Sequence, residues 1–312
     1  MNKLLIVSGP TATGKTQAAI LLAQIFGGEV VNFDSLNFYS QLNIGTAKPS
    51  LQLRSLVPHH LFDVASITAP WSAADFVQQA LPVISAIQER KKLPILVGGS
   101  GFYLQALVEG MWDSPTTPME IQAKSDELYQ QESIAPFIEV LRVHDPISHQ
   151  RLHANDHYRI RRATEHFWTH GTPFSSAKNN FQSQHTQGWD VFHAYLDIPK
   201  EDHWKIIEKR SQKMLELGLV EEVRELLQQG YIGTEKPLQS IGYKETIDWI
   251  QGIYGSDQAA YLERLSINTR RLAKSQRTWF KKKEKIQYDI RHEQEKLVAD
   301  VKNFMARESE IR

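Results

Sequence analysis

Along the first 110 residues, apolar blocks and amphipathic stretches alternate. Leu4-Leu5-Ile6-Val7 has the length and apolarity of a buried strand, followed by a glycine-rich turn and a helix over residues 17–26. A second strand is expected over 29–33. Residues 72–92 repeat at helical spacing, opened by Ser72 with Asp75 three positions on, the signature of a capped N-terminus. Pro82 interrupts that stretch and predicts a kink or two shorter helices. A third strand, Pro94-Ile95-Leu96-Val97, then runs into Gly98-Gly99-Ser100-Gly101. Strands alternating with helices make βα units and a parallel sheet, hence an α/β fold.

From 113 to 188 the strand signals stop, helix formers and polar residues dominate, and Pro115, Pro118 and Pro146 punctuate the stretch. Phe192-His193-Ala194-Tyr195-Leu196 resumes a β-rich pattern, and after Lys200 the chain reads as helices, including 205–229 and 261–285. The simplest topology is a core of residues 1–112 and 189–312, interrupted by an all-helical insertion at 113–188. A length of 312 residues agrees with about two domains.

Composition narrows the class without naming a function. Apolar residues at 41% and charged residues at 23% exclude wholesale disorder and collagen-like or mucin-like chains. No cysteine is present, which excludes a disulfide framework, a zinc-thiolate site, an iron–sulfur cluster and a cysteine nucleophile. No run reaches the about 18 apolar residues of a membrane span, and residues 1–9 lack the length and flanks of a signal peptide, so a cytoplasmic protein away from membranes is expected. Lys plus Arg and Asp plus Glu both number 36, so a polyanion would have to be met by local patches.

Gly9-Pro10-Thr11-Ala12-Thr13-Gly14-Lys15-Thr16 fits G-x-x-x-x-G-K-[ST] at every fixed position, between an expected strand and an expected helix. Its glycines let the backbone curl so that N–H groups and a helix N-terminus face a diphosphate or triphosphate. Lys15 neutralises phosphate oxygens there and Thr16 holds a magnesium ion. Asp34 should emerge from the second strand on the same sheet edge, as a magnesium ligand, a general base with Ser35 beside it, or a turn aspartate. The glycine-rich turn at 98–101 is either a second close-approach loop or a simple chain reversal. His59-His60 lacks metal-ligand spacing and reads as structural.

Two basic stretches stand out. Residues 264–285 carry nine Lys or Arg against one Glu at 284. At 100° per residue, Leu265, Leu272 and Trp279 share one face while Arg270, Lys274, Arg277 and Lys281 lie roughly opposite. The second stretch is Arg151, His153, His157, Arg159, Arg161 and Arg162, with Phe167, Trp168 and Trp189 nearby as base-stacking or core aromatics. Each stretch is either a solvated face or half of a nucleic-acid surface.

In order and spacing these residues resemble one family, the tRNA dimethylallyltransferases, also called tRNA isopentenyltransferases, over nearly the whole chain. The resemblance rests on GPTATGKT (9–16), Asp34-Ser35, Tyr39, IGTAKP (44–49), Pro58-His59-His60, SAADF (72–76), PILVGG (94–99) and Tyr103. It continues through Asn155-Asp156, Arg159, Arg162-Ala163, Glu165, IGYKE (241–245) and RLAKSQRTWF (271–280). It implies transfer of a dimethylallyl group from dimethylallyl diphosphate to N6 of the adenosine 3′ of the anticodon in tRNAs reading UNN codons, with Mg2+ as cofactor. It also implies a P-loop NTPase-like core and a helical insertion that clasps the anticodon stem-loop; a monomer is expected because so large a partner is already clasped by two domains.

Carried over residue by residue, the resemblance gives the diphosphate to Gly9, Pro10, Thr11, Ala12, Thr13, Gly14, Lys15, Thr16 and Arg210, the metal to Thr16, and catalysis to Asp34, Thr16 and Lys15. It gives tRNA contacts to Asp34, Ser35, Leu36, Asn37, Ser100 and Gln122, and on the insertion to His157, Tyr158, Arg159, Ile160, Arg161 and Arg162. On the core's later helices it gives them to Gly242, Tyr243, Lys244, Arg270, Arg271, Lys274 and Arg277. Four positions depart from the family pattern: Ser100 replaces a threonine, Gln122 and Ser275 replace arginines, and Ile206 stands where an arginine helps to bind the diphosphate, while the adjacent Lys205 should point about 100° away on a helix. Three other readings compete: a P-loop kinase with Arg159, Arg161 and Arg162 as lid arginines, an isopentenyltransferase acting on free adenine nucleotides, and a tRNA-binding protein whose catalysis has decayed.

Overall fold

The computed structural model describes residues 2–110, 117–177, 188–255 and 257–307. It divides into one unit of Met1–Val108 with Gln187–Arg312 and a second of Glu109–Thr186. The expected 112/113 crossover, with Trp112 and Pro115, lies outside the described residues.

The first unit is built on a six-stranded, all-parallel sheet. Its strands are β1 (Lys3–Ser8), β2 (Gly28–Asn32), β3 (His59–His60), β4 (Leu93–Gly98), β5 (Asp190–Leu196) and β6 (Ile286–Tyr288), in spatial order β3-β2-β4-β1-β5-β6. β1 pairs with β4 through Leu5 and Ile95 and with β5 through Leu5 and Phe192, so it lies inside the sheet. Both of its faces are covered, which is why β1 and β4 read as continuous apolar runs rather than as alternation. Sequence reading found neither β3 nor β6. Both are edge strands of two or three residues, too short for a period to register.

Helices fill the connections. α1 (Lys15–Phe26) follows β1, and α2 (Leu51–Arg54) precedes β3. α3 (Ala73–Glu89) is one helix through Pro82, not two; Ser72 and Asp75 form the expected reciprocal cap. α4 (Gly101–Val108) follows β4. One core cluster joins Leu5, Val7, Val30, Ile95 and Ala194 of the sheet to Ala19 and Leu22 of α1 and to Leu297, Val301 and Phe304 of the last helix.

The second unit contains α5 (Met119–Glu132), α6 (Ala135–His144), α7 (Pro146–Arg151), α8 (His157–His170) and α9 (Phe174–Ala177). Its core is Phe137, Leu141, Ile160 and Ala163, against which Tyr129 and Trp168 pack.

Back in the first unit, the expected 205–229 helix is two: α10 (Lys200–Glu216) and α11 (Leu219–Gln228). They are broken at Gly218, which takes a left-handed φ of 95°. α12 (Tyr243–Ile250), α13 (Gln258–Phe280) and α14 (Gln294–Ala306) complete the chain.

Candidate active site

The carboxyl ends of β1, β2 and β4 all open into one cavity of about 810 Å3 in the first unit. The loop after β1 enters α1 at Gly14, whose φ of 87° a residue with a Cβ would adopt only under strain. The first backbone bond of α1 runs from the Ala18 N–H to the Gly14 carbonyl at 3.1 Å, so the N–H groups of Lys15, Thr16 and Gln17 have no acceptor within the helix. Lys15 Nζ folds back to donate to the Pro10 carbonyl at 2.7 Å, which Thr13 Oγ1 also reaches at 2.9 Å. Withdrawal from bulk water lowers the Lys15 pKa to about 8, opposed by Asp34 and reinforced by Arg210. The same withdrawal lowers Arg210, again opposed by Asp34.

Asp34 follows β2. The fully buried Asn32 holds its backbone: Oδ1 accepts the Asp34 N–H at 2.9 Å, and Nδ2 donates to the Leu61 carbonyl at 2.9 Å. Among the described residues, no hydrogen bond or ion pair closes on the Asp34 carboxylate. From β4, Ser100 Oγ accepts the Ser35 N–H at 3.0 Å and donates to Ser35 Oγ at 3.2 Å. The cavity thus joins the glycine-bounded loop to a free carboxylate flanked by two cations.

Thr11 to Thr16, Asp34, Ser35, Leu36, Asn37, Ser100, Arg210 and Gly242 all line this cavity. Gly9 and Pro10 form the loop behind it. The motifs at 44–49 and 241–245 come together on Glu222 of α11, which accepts the Ile44 N–H at 2.9 Å and the Tyr243 hydroxyl at 2.6 Å. Gly45, Thr46, Ala47, Ser240, Ile241 and Gly242 also line the cavity.

Several of the residues expected to contact tRNA have partners within the protein. Tyr243 is fully buried with its hydroxyl on Glu222, so it braces the wall instead of presenting a ring. Arg277 is turned inward: Nε donates to Asp197 at 2.9 Å and Nη2 to His203 at 2.6 Å, so the expected cationic row on α13 loses this member. Leu272 and Leu265, which helical phase puts on one face, both line the cavity. Arg270 is paired with Glu208 and stacks over Trp204 at 5.0 Å; Arg271 donates to Asn268, Lys244 pairs with Asp248 at 3.1 Å, and Lys274 is exposed.

In the second unit, Ile160 is core, His157 Nδ1 meets the Tyr129 hydroxyl at 2.8 Å, and Arg161 lies over the Tyr129 ring while bonding Ser125 and Asp126. Arg162 donates to Thr117 and Glu165. Tyr158 and Arg159, the latter paired with Asp156, are the exposed members of that segment, and Gln122 is exposed on α5. Trp168 tilts against Phe137 and packs on the helical core, whereas the half-buried Phe167 stacks on the exposed His144.

Ile206 lines the cavity and Lys205 does not, in keeping with the roughly 100° expected between neighbouring side chains on a helix. Sequence reading also missed Gln276, His203 and Arg291. Arg291 lines the cavity beyond β6, held by Asp289 and Asp202. Gln276 lay inside a recognised motif, but only its contacts show what it does; nothing in the sequence marks Arg291.

A glycine-bounded loop between a parallel strand and a helix, carrying Lys15 and Thr16 at the carboxyl edge of the sheet, defines an α/β protein of the P-loop type. Residues 37–283 match the model of the IPP transferase family, and the chain belongs to that family. The tRNA dimethylallyltransferase 2 of Geotalea daltonii is 40% identical over 283 residues, covering 90% of this chain and 85% of the relative. The tRNA dimethylallyltransferase of Geobacter sulfurreducens is 40% identical over 284 residues, covering 90% and 89%. Among solved structures, the full-length tRNA isopentenylpyrophosphate transferase of Bacillus halodurans superposes with a TM-score of 0.70 at 29% identity, covering 98% of this chain and 96% of that one. A eukaryotic dimethylallyltransferase acting on tRNA gives 0.81 at 26% identity, covering 98% and 80%. Membership of this prenyl-transferring family displaces the kinase reading. Among the described residues, no helix is long and apolar enough to cross a membrane.

Proposed function

We propose that this chain transfers the dimethylallyl group of dimethylallyl diphosphate to N6 of the adenosine 3′ of the anticodon in tRNAs reading UNN codons. The observation that carries the reading is the unpartnered Asp34 carboxylate in the same cavity as the phosphate loop, with Lys15 and Arg210 on its flanks. Lys15, Arg210 and the N–H groups at the start of α1 hold the diphosphate and stabilise its growing charge. The N6 nitrogen forms a bond to the allylic carbon as the carbon–oxygen bond to diphosphate breaks. Pyrophosphate leaves with that electron pair, and Asp34 accepts the N6 proton.

The donor set suits magnesium. Among the described residues no three His, Asp or Glu gather in a metal-binding cluster, while Thr16 offers one hydroxyl beside the anion site. Such a site fits an ion that takes most of its ligands from diphosphate oxygens and water. When bound, magnesium would supply charge neutralisation on the leaving group.

The test is mass spectrometry of nucleosides from an unmodified UNN-reading tRNA incubated with the protein, magnesium and dimethylallyl diphosphate. N6-isopentenyladenosine is expected, falling by about 10²–10⁴-fold in Asp34→Ala. Tight RNA binding with no product would overturn the reading in favour of a decayed enzyme.

A further inference from the structure

We infer that Gln276 is a positioning residue that ties the phosphate loop to the acceptor-side loop and carries the coupling between the two substrates; the inference rests on the function proposed above. Its side-chain amide spans the gap between the two loops. Oε1 accepts the Thr11 N–H at 2.8 Å and Nε2 donates to the Gly99 carbonyl at 3.1 Å. The two partners fix the amide's orientation, since an N–H needs an acceptor and a carbonyl needs a donor.

Gly99 is built for this approach: a Cβ there would fall inside van der Waals contact of Gln276 Nε2 and lie 3.2 Å from the Gly9 carbonyl oxygen. From Gly99 the chain passes to Ser100, whose hydroxyl accepts the N–H of Ser35, and Ser35 adjoins Asp34. A continuous set of hydrogen bonds and peptide units therefore leads from the diphosphate loop to the proposed proton acceptor.

The opposite edge of the Thr11 peptide is clamped separately. Its carbonyl accepts from Nε2 of the fully buried His203 at 2.8 Å, and His203 is held by Arg277, the residue after Gln276. His203 and Arg277 fix the loop from behind. Among the described residues, Gln276 is the side chain bonded to both the phosphate loop and the loop after β4. A shift of Thr11 that suits a bound diphosphate is thereby transmitted to Gly99 and Ser100, and a ligand that orders one loop lowers the cost of ordering the other.

The experiment is calorimetric titration of the full chain with magnesium pyrophosphate, with and without saturating anticodon stem-loop RNA. Wild type is compared with Gln276→Met, which loses both bonds, and Gln276→Asn, which keeps the amide but cannot span both loops. In wild type the RNA should tighten pyrophosphate by about fivefold or more. In both variants pyrophosphate should still bind, with the RNA effect reduced to about one and kcat falling more than donor KM rises. A structural role alone would weaken binding with and without RNA equally. Variants that keep the wild-type ratio, or a wild-type ratio of one with both ligands bound, would overturn the inference. Failure of wild type to bind the stem-loop at all would instead overturn the functional reading on which it rests.

Discussion

Arg277 Nη2 lies 2.6 Å from His203 Nδ1, and this contact fixes the histidine's tautomer. A guanidinium has no acceptor, so Nδ1 must accept and the proton sits on Nε2, which donates to the Thr11 carbonyl. Burial, together with the Arg277 charge, lowers the His203 pKa; burial lowers His59 as well, and takes His193 down to about 4.

Acid should therefore weaken the fold before its carboxylates titrate. A histidine with a depressed folded pKa binds fewer protons folded than unfolded, so its contribution is intact above about pH 6.5 and is lost as pH falls towards the folded value. For His193 the loss approaches about 3 kcal/mol near pH 4. The ion-paired Glu29 and Asp63, whose pKa values lie below the ordinary carboxylate range, add their losses at lower pH. The urea midpoint should fall steadily from pH 7 to 4.5, and His193→Gln should flatten the slope; a level curve over that range would refute the argument.

Donor affinity should fall at alkaline pH. The free enzyme's Lys15 has a pKa of about 8, and a bound diphosphate raises it by favouring the ammonium. Affinity is then full below pH 8 and drops by up to about tenfold per pH unit above it, until the pKa of the complex is reached. Measuring donor KM from pH 7 to 9.5 checks this, because Lys15→Ala should bind weakly throughout and lose the bend near pH 8.

Tyr243→Phe should destabilise the protein without changing its surface. The hydroxyl donates to Glu222 at 2.6 Å from a fully buried ring, and Glu222 in turn holds the N–H groups of Asn43 and Ile44. Loss of one hydrogen bond to a charged acceptor costs about 1.5–3 kcal/mol. A change in denaturation midpoint worth less than about 0.5 kcal/mol would show that Glu222 does not depend on the tyrosine.

The P-loop, Asp34 and the four longer strands were legible because each depends on local chemistry: a fixed glycine spacing, a carboxylate just past a strand, an apolar run. Arg161, Arg162 and Arg277 were not, since a charge pattern does not reveal whether an acid such as the buried Glu165 or the half-buried Asp197 waits on the inner side. Helical phase placed Leu272 with Leu265, but it could not say that the neighbouring surface is a cavity rather than a packed helix. Gln276 was invisible for a similar reason. Its role is defined by Thr11 and Gly99, both more than 170 positions away.

Ile206 offers a direct test of how the cavity distributes its charge. It lies one helical turn, about 6 Å, before Arg210 on α10 and lines the same cavity, whereas Lys205 is exposed and outside it. Ile206→Arg should therefore add a cation within reach of the diphosphate and lower donor KM by about five- to tenfold, with kcat changed by less than about twofold. Lys205→Ala should leave both constants unchanged. One competing partner stands a turn further on, because Asp202 would face the new arginine at i−4 while already bound to Arg291 at 3.1 Å. Adding Asp202→Asn to Ile206→Arg separates the two outcomes: if Asp202 captures the new guanidinium, only the double variant improves donor binding. If neither variant improves it, Lys15 and Arg210 already satisfy the diphosphate, and the isoleucine costs the enzyme nothing.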